Sequence, residues 1–445
     1  MTIWDELALW AADVVGESSV TLTKRSGGGS HQALDIVGAS GRRWFLKADA
    51  APADDDAYYT LRREAVIYRA VKAAGLPTPQ VIGVHPTHEA VVLERVEGDA
   101  GFAKLDPASQ QSIIDDFVPW LAKLHAADPS TLGLEALGPI GTIDSHVRDE
   151  IGVWEARLDA SGMEDAVLKA CFMWLRANQP DTGSTRPSLI QGDTGPGNFL
   201  HDGSKVTAFL DFELGHLGDP MTDLAWVGTR NAQEPVPDFA AFLASYTAAS
   251  GRAIDPVRFR YHALFAELRI ATLGSVRVSG QTDLEAEHGN QLIYGTLHRR
   301  LTVEALAAAM GVELPTVALP DLEDTPDTRY FDAALHQMRT IVGPAIGEPY
   351  AARRHRSMAR VVKYLRELDR SGDTHATAEL ADLAAVLGLA PASLAAGRAD
   401  LYQRVIGGQI TAFDLLPYAY AQVMRRQQLV GAAMGILTTR HLPVV

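Results

Sequence analysis

The chain has 445 residues, of which 47% are apolar and 21% are charged, and its formal net charge is −15. This length exceeds what one core usually supports, so we expect two or three domains, and the acidic balance argues against nucleic acid or an anionic membrane as a partner. A single cysteine, Cys171, excludes an internal disulfide, and we expect its thiol to be buried and inert. The N-terminus lacks the pattern of a secretion signal, and no apolar run reaches the roughly 18 residues of a membrane span, so the sequence predicts a soluble, cytoplasmic protein.

Residues 17 to 47 alternate like two strands around a glycine-rich turn. Backbone N–H groups can approach a phosphate closely where glycine leaves no side chain in the way. We therefore expect this turn to bind nucleotide phosphates through Ser26, Gly27, Gly28, Gly29 and Ser30. A flexible hairpin turn would have the same pattern, and only residues further along the chain favour the first interpretation.

Lys47 lies in the apolar, strand-like run WFLKAD, where an unpaired ammonium would be costly to bury. The next segment, LRREAVIYRAVKAAG, has helical periodicity, with Glu64 early in the helix and Gly75 as its stop. Protein kinases use a strand lysine followed by a helix glutamate to hold the lysine against nucleotide phosphates. The alternative is a surface lysine and a glutamate that only solvates the helix.

The segment from Leu189 to Trp226 carries the most specific spacing in the chain. Asp193 and Asn198 fit the pattern D-x-x-x-x-N, and Asp211 ends the next apolar run. Phosphoryl transfer needs a carboxylate that orients and deprotonates the acceptor hydroxyl, and oxygen ligands that hold magnesium against the phosphates. Asp193 suits the first role, and Asn198 and Asp211 suit the second.

The remainder of the chain is predicted to be mostly helical. His125 falls near the end of a helical segment, where we interpret it as a packing or capping residue. Proline and acidic residues cluster between residues 312 and 328, which indicates a linker. Beyond it the sequence is helical again and carries no metal-ligand spacing, phosphate loop or nucleophile motif.

The chain resembles the aminoglycoside phosphotransferase and choline kinase branch of the protein-kinase-like fold over residues 15 to 310. The resemblance rests on the order of the glycine loop, Lys47, Glu64, Asp193, Asn198 and Asp211. It implies an α+β, two-lobed fold with a β-rich N-lobe (residues 1–97) and a helical C-lobe (98–312), followed by a linker (313–328) and an all-α C-terminal domain (329–445). It also implies ATP and Mg²⁺ as cofactors, a small-molecule substrate, and a hinge whose backbone near Glu94 and Val96 meets the adenine.

Carried over residue by residue, the resemblance makes Asp193 the base, Asn198 and Asp211 the magnesium ligands, Lys47 the phosphate contact and Glu64 its ion-pair partner. The family's catalytic loop is written H-G-D-x-x-x-x-N, and this chain departs from it with Gln191 at the histidine position. Glutamine also donates and accepts hydrogen bonds, so we expect tuning of the loop and not loss of activity. Asp223 is expected to brace the catalytic-loop backbone, as an aspartate does in family members.

The stretch DFELGHLGDPMTDLAW is similar to D-W-E-L-A-H-L-G-D-P-x-x-D-L-A-W, the pattern of kinase domains fused to acyl-CoA dehydrogenases and of bacterial 4-hydroxyacyl-CoA kinases. The C-terminal region resembles a small helical protein often encoded beside such kinases. These resemblances imply phosphorylation of a hydroxyl on a hydroxyacyl-CoA. An aminoglycoside or amino-alcohol kinase and a nucleotide-binding regulatory pseudokinase stay open as alternatives, and a homodimer stays open as the assembly.

Overall fold

The computed structural model of the protein describes residues 2–25, 31–52, 57–183, 185–280 and 287–445. The predicted phosphate loop, Ser26 to Ser30, lies outside these described residues. The chain divides into two compact units. The first comprises Met1–Val147 with Asp181–Asp255, and the second comprises Arg148–Pro180 with Pro256–Val445.

The first unit begins with a helix and a five-stranded antiparallel sheet. Its elements are α1 (Ile3–Val15), β1 (Val20–Lys24), β2 (Gln32–Gly38), β3 (Arg43–Pro52), α2 (Leu61–Ala73), β4 (Val81–Val84) and β5 (His88–Glu94). The strand order in the sheet is β1-β2-β3-β5-β4, with antiparallel pairing throughout. Hence β3 is the central strand, with a neighbour on each side.

The alternation of β3 explains how Lys47 reaches a functional position. Trp44, Leu46 and Ala48 are buried in the core that the sheet forms with α1. Because successive side chains of a strand point to opposite faces, Phe45 and Lys47 lie on the other face of the sheet. Lys47 is in register with Ala33 of β2 and Val91 of β5, so its backbone is held on both sides.

The helix α2 buries the face that its periodicity predicts, with Leu61, Ala65, Tyr68 and Val71 all buried. Thr60 caps its N-terminus by accepting a hydrogen bond from the Arg63 N–H at 3.1 Å. Glu64 is buried on the same helix. A buried carboxylate is costly without a partner, so this position requires a cation or hydrogen-bond donors nearby.

The chain continues with helices and four short strands. They are α3 (Pro107–Ala126), α4 (Ile143–Ala160), α5 (Ala166–Ala177), β6 (Ser188–Ile190), β7 (Phe199–His201), β8 (Val206–Phe209), β9 (His216–Gly218), α6 (Pro220–Asn231) and α7 (Phe239–Ser250). β6 pairs with β9 and β7 pairs with β8, both antiparallel. These pairings bring the loop 191–198 beside the loop 210–215.

The second unit is helical. Besides α5 and most of α4, its elements are α8 (Pro256–Gly280), α9 (His288–Met310), α10 (Thr328–Gln337), the single turn α11 (Gly343–Ala345), α12 (Pro349–Ser371), α13 (Thr374–Leu387), α14 (Leu394–Ile406) and α15 (Ala412–Met434). α9 packs against α8, α12 and α15, and α14 packs against α5. None of the helices in the described ranges combines the length and apolar character that a membrane crossing requires.

The grouping of helices into the two units differs from the predicted domains. Residues 312–325, inside the predicted linker region, contain neither helix nor strand. However, packing places α8 and α9 with the helices that follow this segment, whereas the sequence pattern placed them in the C-lobe. Helix–helix packing depends on tertiary contacts that periodicity does not reveal, so the boundaries at 97 and 312 stay predictions.

Candidate active site

Lys47 lies at the centre of a cluster of three carboxylates. Its Nζ lies 3.0 Å from Glu64 Oε2, 2.8 Å from Asp211 Oδ1 and 3.5 Å from Glu213 Oε2. The side chain of Lys47 is only 15% exposed, and that of Glu64 is 3% exposed. The structure therefore brings Lys47, Glu64 and Asp211 together, and it adds Glu213, which sequence reasoning missed.

The charges in this cluster do not balance. Burial by itself lowers the pKa of the Lys47 ammonium, but Glu64, Asp211 and Glu213 raise that pKa well above its ordinary value. Burial raises the pKa of Glu64, and the attraction of Lys47 offsets this only in part. For Asp211, burial also favours a higher pKa, but Lys47 outweighs it and the pKa is lowered. One ammonium thus faces three carboxylates, with His31 Nε2, 4.0 Å from Glu213 Oε2, as a further basic group. A divalent cation would relieve the excess of negative charge.

Asp211 has a backbone φ of 58°, and it is the one non-glycine residue with positive φ in the described ranges. Such a conformation persists only where the surroundings hold it. Here the Asp211 N–H donates to the Tyr68 hydroxyl at 2.9 Å, and the Phe212 N–H donates to Glu64 Oε1 at 3.1 Å. The Tyr68 and Phe212 rings meet edge to face, with centroids 5.1 Å apart. The helix α2 therefore fixes the backbone that carries the predicted metal ligand.

Asp193 and Asn198 lie together in the loop between β6 and β7. The Asn198 amide Nδ2 donates to the backbone oxygen and to Oδ2 of Asp193, each at 2.7 Å. Both amide hydrogens are then used, so Asn198 Oδ1 is left as an acceptor without a partner among the described residues. Carboxylate and amide oxygens are the ligands that Mg²⁺ prefers, and Asp211 and Asn198 supply one of each.

Arg230 of α6 contacts both oxygens of the Asp193 carboxylate. Its Nε donates to Oδ1 at 2.9 Å, and its Nη2 donates to Oδ2 at 2.5 Å. Its Nη1 donates to the backbone oxygen of Pro196 at 2.8 Å. This bidentate pair is the geometry for which arginine is suited and lysine is not.

Asp223 braces the backbone of the catalytic loop. Its carboxylate accepts from the Gln191 N–H and the Gly192 N–H, each at 2.9 Å, and from His125 Nε2 at 3.0 Å. Burial by itself raises the pKa of Asp223, but the bonds from His125 and Gly192 lower it below its ordinary value. Both Asp223 and His125 are fully buried, and His125 Nδ1 lies 2.7 Å from the Tyr246 hydroxyl. His125 thus packs, as expected, and it also supports the brace.

Gln191 occupies the position that the family gives to histidine. Its side-chain Nε2 donates to the backbone oxygen of Leu210 at 2.7 Å and lies 3.3 Å from the backbone oxygen of Asn198. Leu210 precedes Asp211 in the chain, so one amide connects the backbones of both predicted metal ligands. Gly192 has a φ of 87°, and an added Cβ would lie 2.2 Å from the backbone oxygen of Leu214. Only glycine fits at this point of close approach.

A cavity of about 400 Å³ opens beside Lys47. Lys47, Asp211 and Glu213 line this cavity, and so do the predicted hinge residues Glu94 and Val96. The volume falls in the usual range of small-molecule and cofactor sites. The residues predicted to meet the adenine and those predicted to meet the phosphates therefore share one cavity. The predicted glycine-loop contacts, Ser26 to Ser30, lie outside the described residues.

Three residues of this site were missed by sequence reasoning, and two of them left a signal. Glu213 is a carboxylate two positions after Asp211, in the same short loop as that predicted metal ligand. Tyr68 lies one helical turn after Glu64 and therefore on the same face of α2. Arg230 left no such signal, because an arginine in a helix is most often a solvated surface charge.

A second group of metal-ligating side chains lies in the first unit. Ligand atoms of Glu6, His85 and His88 lie within 4.8 Å of one another. However, His85 Nδ1 accepts from the backbone N–H groups of Thr87 at 3.2 Å and of His88 at 3.0 Å. The proton of the neutral ring is therefore on Nε2, which leaves no lone pair for a metal. Burial and the neighbouring His88 also lower the pKa of His85. This arrangement favours a structural hydrogen-bond cluster.

The fold and the site define a phosphotransferase of the protein-kinase-like class. The chain belongs to the phosphotransferase enzyme family, which matches residues 21–262. A crystal structure named for an aminoglycoside phosphotransferase of Ralstonia eutropha shares the fold, with a TM-score of 0.52, 20% identity, and coverage of 69% of this chain and 98% of that one. The predicted α+β, two-lobed fold and the predicted phosphotransferase enzyme are confirmed.

The chain is also similar to curated proteins named acyl-CoA dehydrogenases. It is 30% identical over 183 residues to human acyl-CoA dehydrogenase family member 11, covering 38% of this chain and 22% of that protein. It is 25% identical over 275 residues to a probable acyl-CoA dehydrogenase of Arabidopsis thaliana, covering 53% of this chain and 33% of that protein. The chain thus spans between about a fifth and a third of the length of these relatives. The predicted resemblance to the acyl-CoA-associated subgroup is confirmed.

Proposed function

We propose that this protein is an ATP- and Mg²⁺-dependent kinase that phosphorylates a hydroxyl of a small molecule, with a hydroxyacyl-CoA as the substrate class. The observation that carries the proposal is the convergence of Lys47, Asp211, Asp193 and Asn198 within one unit, beside a cavity that also meets the hinge. Each of these side chains has a use in phosphoryl transfer, and the contacts described above hold each of them in place.

In the proposed reaction, Asp193 accepts the proton of the acceptor hydroxyl as the hydroxyl oxygen forms a bond to the γ-phosphorus. The bond between that phosphorus and the ADP oxygen breaks, and ADP leaves with the electron pair. Lys47 contacts the nucleotide phosphates and is kept in place by Glu64. Asp211 and Asn198 would hold magnesium, which neutralises charge on the phosphates when it is bound.

Two observations support an acyl-CoA acceptor over a cationic one. The relatives that match the chain are named acyl-CoA dehydrogenases. In addition, the side chains that hydrogen-bond the Asp193 carboxylate in the described ranges are Arg230 and Asn198. The positive charge of the Arg230 guanidinium beside the predicted base repels a cationic acceptor and attracts an anionic one.

The test is ADP release by the purified protein across hydroxyacyl-CoAs, aminoglycosides and choline-like alcohols. We expect turnover with a hydroxyacyl-CoA, strict dependence on Mg²⁺, and a loss of about 10²–10⁴-fold in the Asp193→Asn variant. Asp202→Asn is the matched control, because Asp202 is an exposed loop aspartate whose carboxylate accepts, within the described residues, from nearby N–H groups and the Ser204 hydroxyl.

The outcomes separate the candidate functions. Turnover with hydroxylated cations alone would replace the acyl-CoA assignment with an amino-alcohol or antibiotic kinase. ATP binding without turnover on any acceptor, unchanged by Asp193→Asn, would instead indicate a nucleotide-binding regulatory protein.

A further inference from the structure

We propose that Arg230 is a positioning residue for the base, holding the Asp193 carboxylate so that Oδ1 alone is left to accept the hydroxyl of the substrate. The inference rests on the proposed function and deepens it. The chemistry of the family does not require an arginine at this point, since a carboxylate can accept a proton without one. Arg230 thus determines which oxygen of the Asp193 carboxylate reacts and in which direction that oxygen faces.

The two oxygens of Asp193 are not equivalent. Oδ2 accepts from Arg230 Nη2 at 2.5 Å and from Asn198 Nδ2 at 2.7 Å. Oδ1 accepts from Arg230 Nε alone at 2.9 Å within the described part of the chain. A carboxylate oxygen has two lone pairs, so Oδ2 is saturated and Oδ1 keeps one lone pair. The hydroxyl that is to be phosphorylated therefore donates to Oδ1.

The loop 193–197 is built around the guanidinium of Arg230. The Pro196 backbone oxygen accepts from Nη1 at 2.8 Å, which ties the loop to the arginine at a second point. An added Cβ at Gly195 would lie 2.9 Å from Arg230 Cδ, and one at Gly197 would lie 3.3 Å from Nη1. The absence of side chains at these two positions lets the loop approach the arginine closely. Three donors in a rigid planar group thus fix both the loop and the carboxylate.

A direct role in substrate binding is the competing explanation. Arg230 has five N–H donors, and the contacts above use three of them, so two could meet an anionic part of the acceptor. Such a contact would act mainly on the KM of the acceptor. A positioning role acts on kcat, because a misplaced base weakens the transition state more than it weakens binding of either substrate.

The experiment measures steady-state kinetics of Arg230→Lys and Arg230→Ala with the full chain, using MgATP and the best acceptor of the panel. We expect kcat of Arg230→Ala to fall about 100-fold, the usual cost of a small misplacement at a reacting centre, with both KM values nearly unchanged. Arg230→Lys should recover little, because an ammonium cannot hold both oxygens. Millimolar guanidinium should restore part of kcat to Arg230→Ala and none to Arg230→Lys.

The control is Arg186→Ala, since Arg186 is a half-exposed arginine of the same unit that pairs with Asp128. An unchanged kcat in Arg230→Ala, or a rise in acceptor KM alone, would overturn the inference. Full activity of Arg230→Lys would also overturn it, because charge without bidentate geometry would then suffice.

If the wild-type protein turns over no acceptor, the proposed function is wrong. The role of Arg230 in positioning Asp193 is then tested by the structures of the variants. We then expect a crystal structure of Arg230→Ala to show the Asp193 carboxylate rotated away from its wild-type position. An Asp193 side chain that stays in place without Arg230 would show that the arginine does not position it.

Discussion

Substitution of Asp223, which accepts hydrogen bonds from the backbone of the predicted catalytic loop, tests how that loop is held in place. Asp223→Asn keeps the size of the side chain but replaces one carboxylate oxygen by an NH₂ group. Asp223 Oδ2 accepts from the Gln191 N–H and His125 Nε2, whereas Oδ1 accepts from the Gly192 N–H. The least costly orientation of the asparagine keeps its oxygen at the Oδ2 position. The Gly192 N–H then faces another donor and loses its partner.

The magnitude follows from that single lost bond. A hydrogen bond to a buried charged group contributes about 1.5–3 kcal/mol, and an unsatisfied buried donor costs a similar amount. The two retained bonds weaken as well, because a neutral amide oxygen replaces a carboxylate. We therefore expect a loss near 3 kcal/mol in the local stability of the loop, which is roughly a 100-fold increase in its opening constant.

Local opening is the quantity to measure, because a chain with two compact units need not unfold in one step. Hydrogen exchange of peptides covering residues 189–200 should accelerate by about that 100-fold factor in Asp223→Asn. ADP release should fall with it, since Asp193 follows Gly192 directly. Asp202→Asn, the same chemical change in an exposed loop, should alter neither readout.

An Asp223→Asn variant with wild-type exchange at residues 189–200 would refute the reasoning about the brace. Faster exchange with unchanged ADP release would refute a narrower point, namely that the brace positions Asp193. These two results are distinguishable because exchange is read on the free protein and ADP release on the working one.

The acid response of the loop, the amide of Gln191 and the thiol of Cys171 provide three more experiments. Folding lowers the pKa of Asp223, so its stabilising contribution is present above the unfolded pKa of about 4 and is lost as pH falls through the native pKa. Hydrogen exchange at residues 189–200, corrected for the intrinsic effect of pH, should therefore accelerate at low pH in the wild type and not in Asp223→Asn. Gln191→Leu should raise the Mg²⁺ concentration needed for ADP release more than Gln191→His does, since leucine has no group that donates to the Leu210 oxygen. Equal effects of the two variants would contradict this. Burial raises the pKa of the Cys171 thiol to about 12, so alkylation at neutral pH should require denaturant, and rapid labelling of the native protein would show that α5 is not packed as described.

The chemistry of the site could be predicted where it is carried by residues close together in the sequence. Asp193 and Asn198 share one loop, and their contact at 2.7 Å agrees with that spacing. Lys47 and Glu64 could be paired only by their order on a strand and a helix, and their atoms do meet at 3.0 Å. Short-range spacing survives folding because a loop of a few residues allows few arrangements.

Arg230 is a residue of the site that short-range spacing in the sequence could not predict. It lies on α6, whereas Asp193 lies before β7, and no periodicity connects them. Its contact with Asp193 exists because the pairing of β6 with β9 places α6 along the catalytic loop, where Asp223 contacts Gly192 and Arg230 lies two turns further along the same helix face. The same limit explains α9, which packs against α12 and α15 beyond the predicted linker, and α8, which packs against α9. In both cases the contact is tertiary, so the local sequence pattern does not predict it.

Gln191 is the position where the structure adds most to what the sequence shows. The sequence shows a departure from the family's histidine but does not show whether the replacement donates or accepts. The direction of the bond is set by the carbonyls of Leu210 and Asn198, both of which present acceptors to the buried side chain. Two acceptors require a donor, and the NH₂ group of glutamine has two hydrogens, one for each carbonyl. The substitution therefore keeps the link between the loops that carry Asn198 and Asp211, which removes the main sequence-based reason to expect an inactive site.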